Sequence, residues 1–184
     1  MVKIPKSHPR RNSLLSRNAI VDATKKGLLA DSALIAHGRG EAFDYLLGEQ
    51  TSEIAKLSIK ESAARLINAN NPVISINGNT AVLAGKSLIR VAAVLGCPIE
   101  INIYYRTEER INNLHDFLEA ERMVVSKEIG PSNWLGDWEK SVLAVKILGK
   151  EEDGRIIGLE GPRAICSAEG IEKADVVLVP LEDG

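Results

Sequence analysis

Apolar positions in the first third of the chain recur at helical spacing. A first helix is predicted over about residues 9–26, with Ser7 as its N-cap and Gly27 directly after its last turn. A second helix is predicted over about residues 51–69, where apolar residues form one face. The N-terminal part of the protein is therefore predicted to be helical.

Between these helices, residues 33–49 have the sequence ALIAHGRGEAFDYLLGE, with a glycine on each side of an arginine. Because Gly38 and Gly40 have no side chain, the pattern predicts a turn in which backbone N–H groups and the Arg39 guanidinium approach one anion together. His37 adjoins this turn and is a candidate substrate contact and a candidate catalytic residue. The segment is a candidate phosphate site.

After residue 71 the pattern changes to short apolar runs that alternate with helices. Strands are predicted at 72–76, 99–104 and 175–180. Such alternation favours an α/β fold with a parallel sheet and helices on both faces, Rossmann-like, preceded by N-terminal helices. We interpret residues 1–184 as one domain with a helical part at 1–70 and a sheet part at 71–184.

Residues 126–154 show no clear period. Trp134 and Trp138 are four apart and can share a helical face. We expect them to pack an insertion of about residues 124–154 onto the body of the domain.

Polar residues follow each predicted strand. Asn77 and Asn79 come after the first strand, Arg106 after the second, and Glu182-Asp183-Gly184 after the third. Ligands of parallel sheets bind beyond the carboxyl ends of the strands, so the three junctions are predicted to line one crevice. Turn formation alone also favours Asn, Asp and Gly at such junctions.

The net charge of −2 conceals an asymmetry, because residues 1–27 carry seven Lys or Arg and one Asp. Four interpretations stay open: a transit peptide, a nucleic-acid arm, a solvated basic face, and a helix directed at an anionic ligand. Arg10 and Arg17 lie two turns apart on one face of that helix. The chain has two Trp, three Tyr and two Phe and no basic run with interleaved rings, so no platform for stacking bases is visible.

Several function classes have no support. The longest apolar run has six residues, which is too short to span a membrane. Cys97 and Cys166 form no CxxC pair, which indicates a reducing cytoplasm and neither a disulfide framework nor a zinc site. Gly85-Lys86-Ser87 resembles the end of the P-loop motif GxxxxGK[ST], but Thr80 stands where that motif needs its first glycine. Phe43 replaces the third glycine of a dinucleotide fingerprint.

Taken together, five motifs carry a resemblance that extends in order over most of the chain. They are IPKSHPR at 4–10, LIAHGRGEAFDYLLGE at 34–49, PVISINGN at 72–79, EINIYYRTEER at 100–110 and ADVVLVPLEDG at 174–184. The chain resembles the archaeal phosphopantothenate synthetase family, also called 4-phosphopantoate–β-alanine ligases.

The resemblance implies an amide-forming ligase of coenzyme A biosynthesis. Such an enzyme joins 4-phosphopantoate to β-alanine through an acyl-adenylate, uses ATP with Mg²⁺, and yields AMP and pyrophosphate. It further implies a cytoplasmic homodimer whose other partners are these small molecules, with neither nucleic acid nor membrane among them. We expect no covalent enzyme nucleophile, because positioning and electrostatics would carry the rate. The sequence singles out no metal ligand.

The resemblance also implies site residues. Arg17 and Arg39 are expected at the ATP phosphates, where Gly38 and Gly40 allow close backbone approach. Glu182, Asp183 and Gly184 match the start of the family's nucleotide-binding segment. The candidates for the phosphopantoate side are Arg10, His37, Asn77, Asn79 and Arg106.

One departure affects the expected activity. Family chains continue past PLEDG with a further helix, a further strand and a second nucleotide-contacting segment, whereas this sequence stops at Gly184. We therefore expect a C-terminally truncated form with weak or no activity. The alternative functions are a non-catalytic nucleotide- or phosphate-binding protein and a basic-arm nucleic-acid binder.

Overall fold

Three helices precede the sheet in the structure, a computed structural model that describes residues 4–180. The helices and strands, in chain order, are α1 (Arg11–Lys25), α2 (Ala33–Leu47), α3 (Glu53–Asn68), β1 (Pro72–Ile76), α4 (Gly78–Leu95), β2 (Ile99–Ile101), α5 (Glu108–Ser126), α6 (Trp138–Leu143), β3 (Ile147–Leu148), β4 (Gly154–Arg155), β5 (Ile165–Cys166) and β6 (Val176–Leu178). Short 3₁₀ helices occupy Pro162–Ala164 and Ile171–Lys173.

The start of α1 differs from the prediction. The helix begins at Arg11, and its N-cap is Arg10 rather than Ser7. The ring nitrogen Nδ1 of His8 accepts a hydrogen bond from the Arg10 backbone N–H at 3.1 Å, so residues 5–10 form turns before the helix. The helix end is confirmed, because Gly27 has a φ of +69° after the last turn, a conformation that glycine adopts without strain.

Four parallel strands form the main sheet in the order β3-β2-β1-β6. Ile74 is paired with Ile99 of β2 and with Leu178 of β6. β4 and β5 form a small antiparallel pair. The predicted α/β class, with a parallel sheet flanked by helices and preceded by N-terminal helices, is confirmed.

The core lies between the sheet and the helices α1, α4 and α5. Ile20, Ile89, Ile99, Leu114 and Leu118 are each 0% exposed. α4 and α5 approach closely at Gly85, where an added Cβ would lie 3.2 Å from Cδ2 of Leu118. The glycine that resembled part of a P-loop is therefore a helix-packing residue.

The segment that was predicted as an insertion contributes to this body. β3 pairs with β2 at the edge of the sheet, and α6 packs against α4 and α5. Trp138 is only 8% exposed and stands edge-on to Trp134, with ring centroids 5.9 Å apart. The two tryptophans pack this segment onto the domain.

No helix within residues 4–180 is long and apolar enough to cross a bilayer.

Candidate functional site

A cavity of about 540 Å³ lies beyond the carboxyl ends of β1 and β2, under the N-terminal half of α2. We call it the strand-end cavity. Four parts of the chain line it: the α1–α2 connection with α2, the start of α4, the residues after β2 with the start of α5, and the 3₁₀ helix at Pro162. Its lining residues are Leu29, Ala30, Ser32, Ala33, Ile35, Ala36, Arg39, Asn77, Gly78, Asn79, Ile103, Tyr104, Tyr105, Arg110 and Arg163. Two of the three predicted strand junctions therefore meet here.

The two asparagines after β1 build the floor of the strand-end cavity. Asn77 is the N-cap of α4, where its side-chain oxygen accepts from the backbone N–H of Thr80 at 2.9 Å. Asn79 instead donates its side-chain amide to the main-chain oxygen of Ala33 at 3.0 Å. The first turn of α4 is thereby joined to the first turn of α2.

Three arginines give the cavity its charge. Arg39 comes from α2, Arg110 from the first turn of α5, and Arg163 from the 3₁₀ helix Pro162–Ala164, while no Asp or Glu among residues 4–180 lines the cavity. The N-terminus of α4 also opens on it, and helix N-termini attract anions. The described lining residues therefore contribute positive charge to the strand-end cavity.

Arg110 is held in a way that leaves one donor unused. Its guanidinium donates to the main-chain oxygen of Tyr105, while its Nε is buried and has no hydrogen-bond partner among the described residues. Burial lowers the pKa of Arg110 from its ordinary value. A buried donor without a partner costs free energy.

The glycines on either side of Arg39 do not form the predicted turn. Gly38 and Gly40 lie inside α2, so their backbone N–H groups take part in the helix and cannot cradle an anion. An added Cβ at either glycine would meet no atom within 4 Å. The helix places Arg39 on the cavity face, three residues from Ala36 and six from Ala33.

The opposite face of α2 carries His37 and lines a separate polar cavity of about 550 Å³ against α1. The ring Nε2 of His37 is buried without a hydrogen-bond partner among residues 4–180. Gly40, Glu41, Asp44 and Ser13 line the same cavity. His37 is therefore not brought to the strand-end cavity.

Arg10 and Arg17 also lie apart from that cavity. Arg10 stacks on the Tyr45 ring at 4.0 Å and forms ion pairs with Glu41 and Glu49, each at 3.6 Å. Arg17 is exposed on α1 and is not a lining residue. Of the two predicted arginine contacts to ATP, the structure brings only Arg39 to the strand tips.

Arg106 points to the other side of its junction. Its Nε lies 2.7 Å from Oε1 of Glu152, and its terminal nitrogen donates to the main-chain oxygen of Gly149 at 2.8 Å. Its side chain is only 10% exposed. Arg106 thereby binds the turn after β3. The third predicted junction, Glu182-Asp183-Gly184, lies outside the described residues.

Sequence reasoning did not single out Arg110 and Arg163. Arg110 closes the motif EINIYYRTEER and lies in the first turn of α5, shortly after the end of β2. Arg163 follows a segment with no periodic pattern, 85 residues after Gly78 in the chain. No local signal indicates its approach to the cavity.

A more apolar cavity of about 510 Å³ lies at the opposite end of α4, between α3 and the loop after α5. The guanidinium of Arg90, which lines this cavity, donates one hydrogen bond to each carboxylate oxygen of Glu128, at 2.7 and 2.8 Å. That pair cancels the charge, so this cavity does not offer an anion site.

Within residues 4–180 there is no group of three or more His, Cys, Asp or Glu side chains that could hold a metal ion.

Comparison with known proteins identifies relatives over the whole chain. A 4-phosphopantoate–β-alanine ligase from Thermococcus onnurineus is 45% identical over 184 residues, which are 100% of this chain and 63% of the relative. The protein of the same name from Thermococcus kodakarensis is 46% identical over the same shares. That from Methanospirillum hungatei is 42% identical over 181 residues, 98% of this chain and 65% of the relative.

The chain thus spans a little under two thirds of the length of these relatives. The sequence pattern of the phosphopantothenate/pantothenate synthetase family matches residues 54–184, which include every strand of the main sheet and both asparagines of the cavity floor. The chain belongs to the phosphopantothenate/pantothenate synthetase family.

Proposed function

We propose that this chain provides the phosphate-binding site of a ligase that joins 4-phosphopantoate to β-alanine, with ATP converted to AMP and pyrophosphate. The pantoate carboxylate would be activated as an acyl-adenylate, and the amine of β-alanine would then displace AMP. The product, 4′-phosphopantothenate, is a precursor of coenzyme A. The names of the relatives and the family match support this activity for the longer protein.

The observation that carries the proposal is the arginine-lined cavity at the strand tips. The reaction brings a phosphate monoester close to a triphosphate, so repulsion between anions opposes binding of both substrates. Arg39, Arg110 and Arg163 would offset that repulsion, because guanidinium groups bind phosphate oxygens with two parallel hydrogen bonds. Donors that are already in place need no reorganisation when the charge moves during reaction.

The remaining contacts are proposed from the family resemblance together with position. Asn77 and Asn79 border the cavity and are proposed to face the phosphopantoate. Arg17 and Glu182-Asp183-Gly184 are proposed to bind the nucleotide on the resemblance alone. Mg²⁺ would bind in complex with the ATP phosphates and neutralise part of their charge.

We further propose that the protein works as a cytoplasmic homodimer. Its two cysteines are unpaired and buried, a pattern typical of proteins from a reducing compartment. The end of α2 and the start of α3 expose large apolar side chains, which we call the α2–α3 surface. They are Phe43, Leu46, Leu47, Ile54 and Leu57, each more than 60% exposed. Exposed apolar side chains that are grouped in the chain are typical of an interaction site, and the resemblance suggests a second copy of this chain as the partner.

Calorimetric titration with ATP tests the phosphate site. We expect Arg39→Ala and Arg163→Ala each to weaken ATP binding by about tenfold or more, since each removes a charge-assisted hydrogen bond. Arg65→Ala, at an exposed position of α3, is the matched control and should bind like the wild type. Wild-type affinity for ATP in both cavity variants would contradict the proposal that the strand-end cavity binds phosphate.

Turnover separates the ligase from its alternatives. AMP release that depends on both 4-phosphopantoate and β-alanine supports the ligase, and ATP binding without AMP release supports a non-catalytic nucleotide-binding protein. Binding of RNA with a steep salt dependence and indifference to ATP would support the basic-arm alternative.

A further inference from the structure

Two polar side chains on one face of β2 and its extension hold the chain segment that carries Arg163. Glu100 and Asn102 are two residues apart, so they point to the same side, opposite the core residues Ile99 and Ile101. Glu100 is 0% exposed and Asn102 is 7% exposed. Buried polar groups at such positions persist because they are hydrogen-bonded.

Asn102 binds the main chain on both sides of residue 164. Its side-chain amide donates to the main-chain oxygen of Arg163 at 3.0 Å, and a weaker contact reaches that of Ile165 at 3.5 Å. Arg163 and Ala164 belong to the 3₁₀ helix that begins with Pro162, and Ala164 is completely buried. Asn102 therefore fixes the backbone of Arg163 relative to β2.

Glu100 anchors the same segment further along. Its two carboxylate oxygens accept from the backbone N–H groups of Ser167 and Ile171, each at 2.8 Å. Gly170 passes so close that an added Cβ would lie 1.9 Å from Oε2 of Glu100. This second anchor holds residues 167–171 against the sheet, away from the strand-end cavity.

We propose that Asn102 is a positioning residue for anion binding, because its hydrogen bond holds the backbone of Arg163 beside the carboxyl ends of the strands. Arg163 is the residue of segment 154–173 that lines the strand-end cavity, where Asn77 and Arg110 also lie. A guanidinium binds phosphate with two hydrogen bonds only when its plane is correctly placed, so a small displacement of its backbone lowers affinity. This inference rests on the proposed function, in which the cavity binds phosphate groups.

Calorimetry with inorganic pyrophosphate as the probe tests the proposal in a double-mutant cycle. The variants are Arg163→Ala, Asn102→Ala and the two combined. We expect about a tenfold loss of affinity for Arg163→Ala and about a threefold to tenfold loss for Asn102→Ala. We expect the double variant to equal Arg163→Ala within about twofold, because Asn102 acts through Arg163.

The matched control is Asn113→Ala, which removes a similar amide-to-carbonyl bond, to Gly27 at 3.4 Å, away from the cavity. It should leave pyrophosphate affinity unchanged. Thermal unfolding is followed for each variant so that titrations are made well below every midpoint. If Asn102→Ala does not fold, Asn102→Ser, which leaves a smaller void, takes its place in the same cycle with the same expected non-additivity.

The outcomes separate the two proposals. Unchanged affinity in Arg163→Ala overturns the phosphate-binding role of Arg163 and this inference with it. A loss in Arg163→Ala with wild-type affinity in Asn102→Ala, or with additive losses in the double variant, overturns the positioning role while the proposed function stands.

Discussion

The side-chain amide of Asn79 donates to the main-chain oxygen of Ala33 at 3.0 Å, and this bond joins the start of α4 to the start of α2. Asn79 lies just beyond β1, whereas Ala33 begins the helix that carries Arg39 six residues later. The bond therefore sets the position of α2 over the strand tips. Asn79, which the sequence suggested as a ligand contact, therefore also holds together two helices that line the strand-end cavity.

We expect Asn79→Ala to weaken ATP binding by about threefold to tenfold, because loss of one hydrogen bond, about 1 kcal/mol, lets α2 and Arg39 move away from the cavity. Calorimetric titration measures the effect. Asn68→Ala is the control, since the Asn68 amide binds only Ala64 within α3. Equal affinities in both variants would contradict a role for Asn79.

Glu100 is expected to make stability fall as pH rises above about 4.5. Burial raises the pKa of Glu100 above its ordinary value of 4.5, and repulsion from Glu151 adds to this, while the N–H groups of Ile171 and Ser167 and the charge of Arg106 oppose it. Between the unfolded and folded pKa values, the folded state keeps a proton that the unfolded chain has lost. The free energy of unfolding therefore decreases through that window.

Glu100→Gln has no such proton, so the stability of the wild type relative to this variant should decline from pH 4 upward. Urea unfolding of both proteins at several pH values between 4 and 8 measures the difference. A difference that is constant or grows with pH would contradict the raised pKa of Glu100.

Gly149→Ala should destabilise the fold strongly. Gly149 has a φ of +118°, and an added Cβ would lie 2.6 Å from the main-chain oxygen of Ile101. Gly158→Ala is the matched control, because Gly158 has a φ of +83° and open space around it. We expect a loss of about 1–2 kcal/mol for the control and about 1–3 kcal/mol more for Gly149→Ala, measured by chemical unfolding. Equal losses would show that the contact with Ile101 is relieved at little cost.

The thiols should be unreactive in the folded protein. Burial raises the pKa of Cys97 to about 11 and raises that of Cys166 as well. At pH 8 only about one Cys97 thiol in a thousand would be ionised. We expect almost no alkylation by iodoacetamide in native buffer and labelling of both cysteines in urea, as read by mass spectrometry. Stoichiometric labelling of the native protein would contradict this.

The α2–α3 surface is expected to control self-association. Ile54→Glu places a charge on that surface and should shift the protein from dimer to monomer in analytical ultracentrifugation. Ile157→Glu makes the same change at a residue that is 98% exposed in a different part of the molecule, and should not alter the mass. A wild-type protein that is monomeric at all concentrations would refute the dimer.

Elements with strong local signals were predicted well. The helix predicted over about residues 51–69 corresponds to α3, which spans Glu53–Asn68 with Ser52 as its N-cap. β1 and β6 are short apolar runs that pair in parallel as expected. In contrast, β3 is only two residues long, and its pairing with β2 depends on the neighbouring strand rather than on any pattern of its own.

The pair of glycines around Arg39 shows why a local pattern can mislead. Each glycine weakens a helix by about 1 kcal/mol, which favoured a turn. The contacts of α2 with α1 and α4 outweigh that cost, so the helix continues through both glycines. Tertiary packing therefore decided whether the backbone N–H groups of this segment could meet a ligand.

By itself, the sequence predicted the helices α1 and α3 and three of the four parallel strands, and it indicated a crevice at the strand tips with Asn77 and Asn79. These predictions follow from periodicity and from the geometry of parallel sheets, which act over short distances in the chain. Only the tertiary structure decided that Arg110 and Arg163 join that site while Arg10 and Arg106 bind carboxylates elsewhere. The direction of a long charged side chain depends on partners distant in sequence, which no local pattern records.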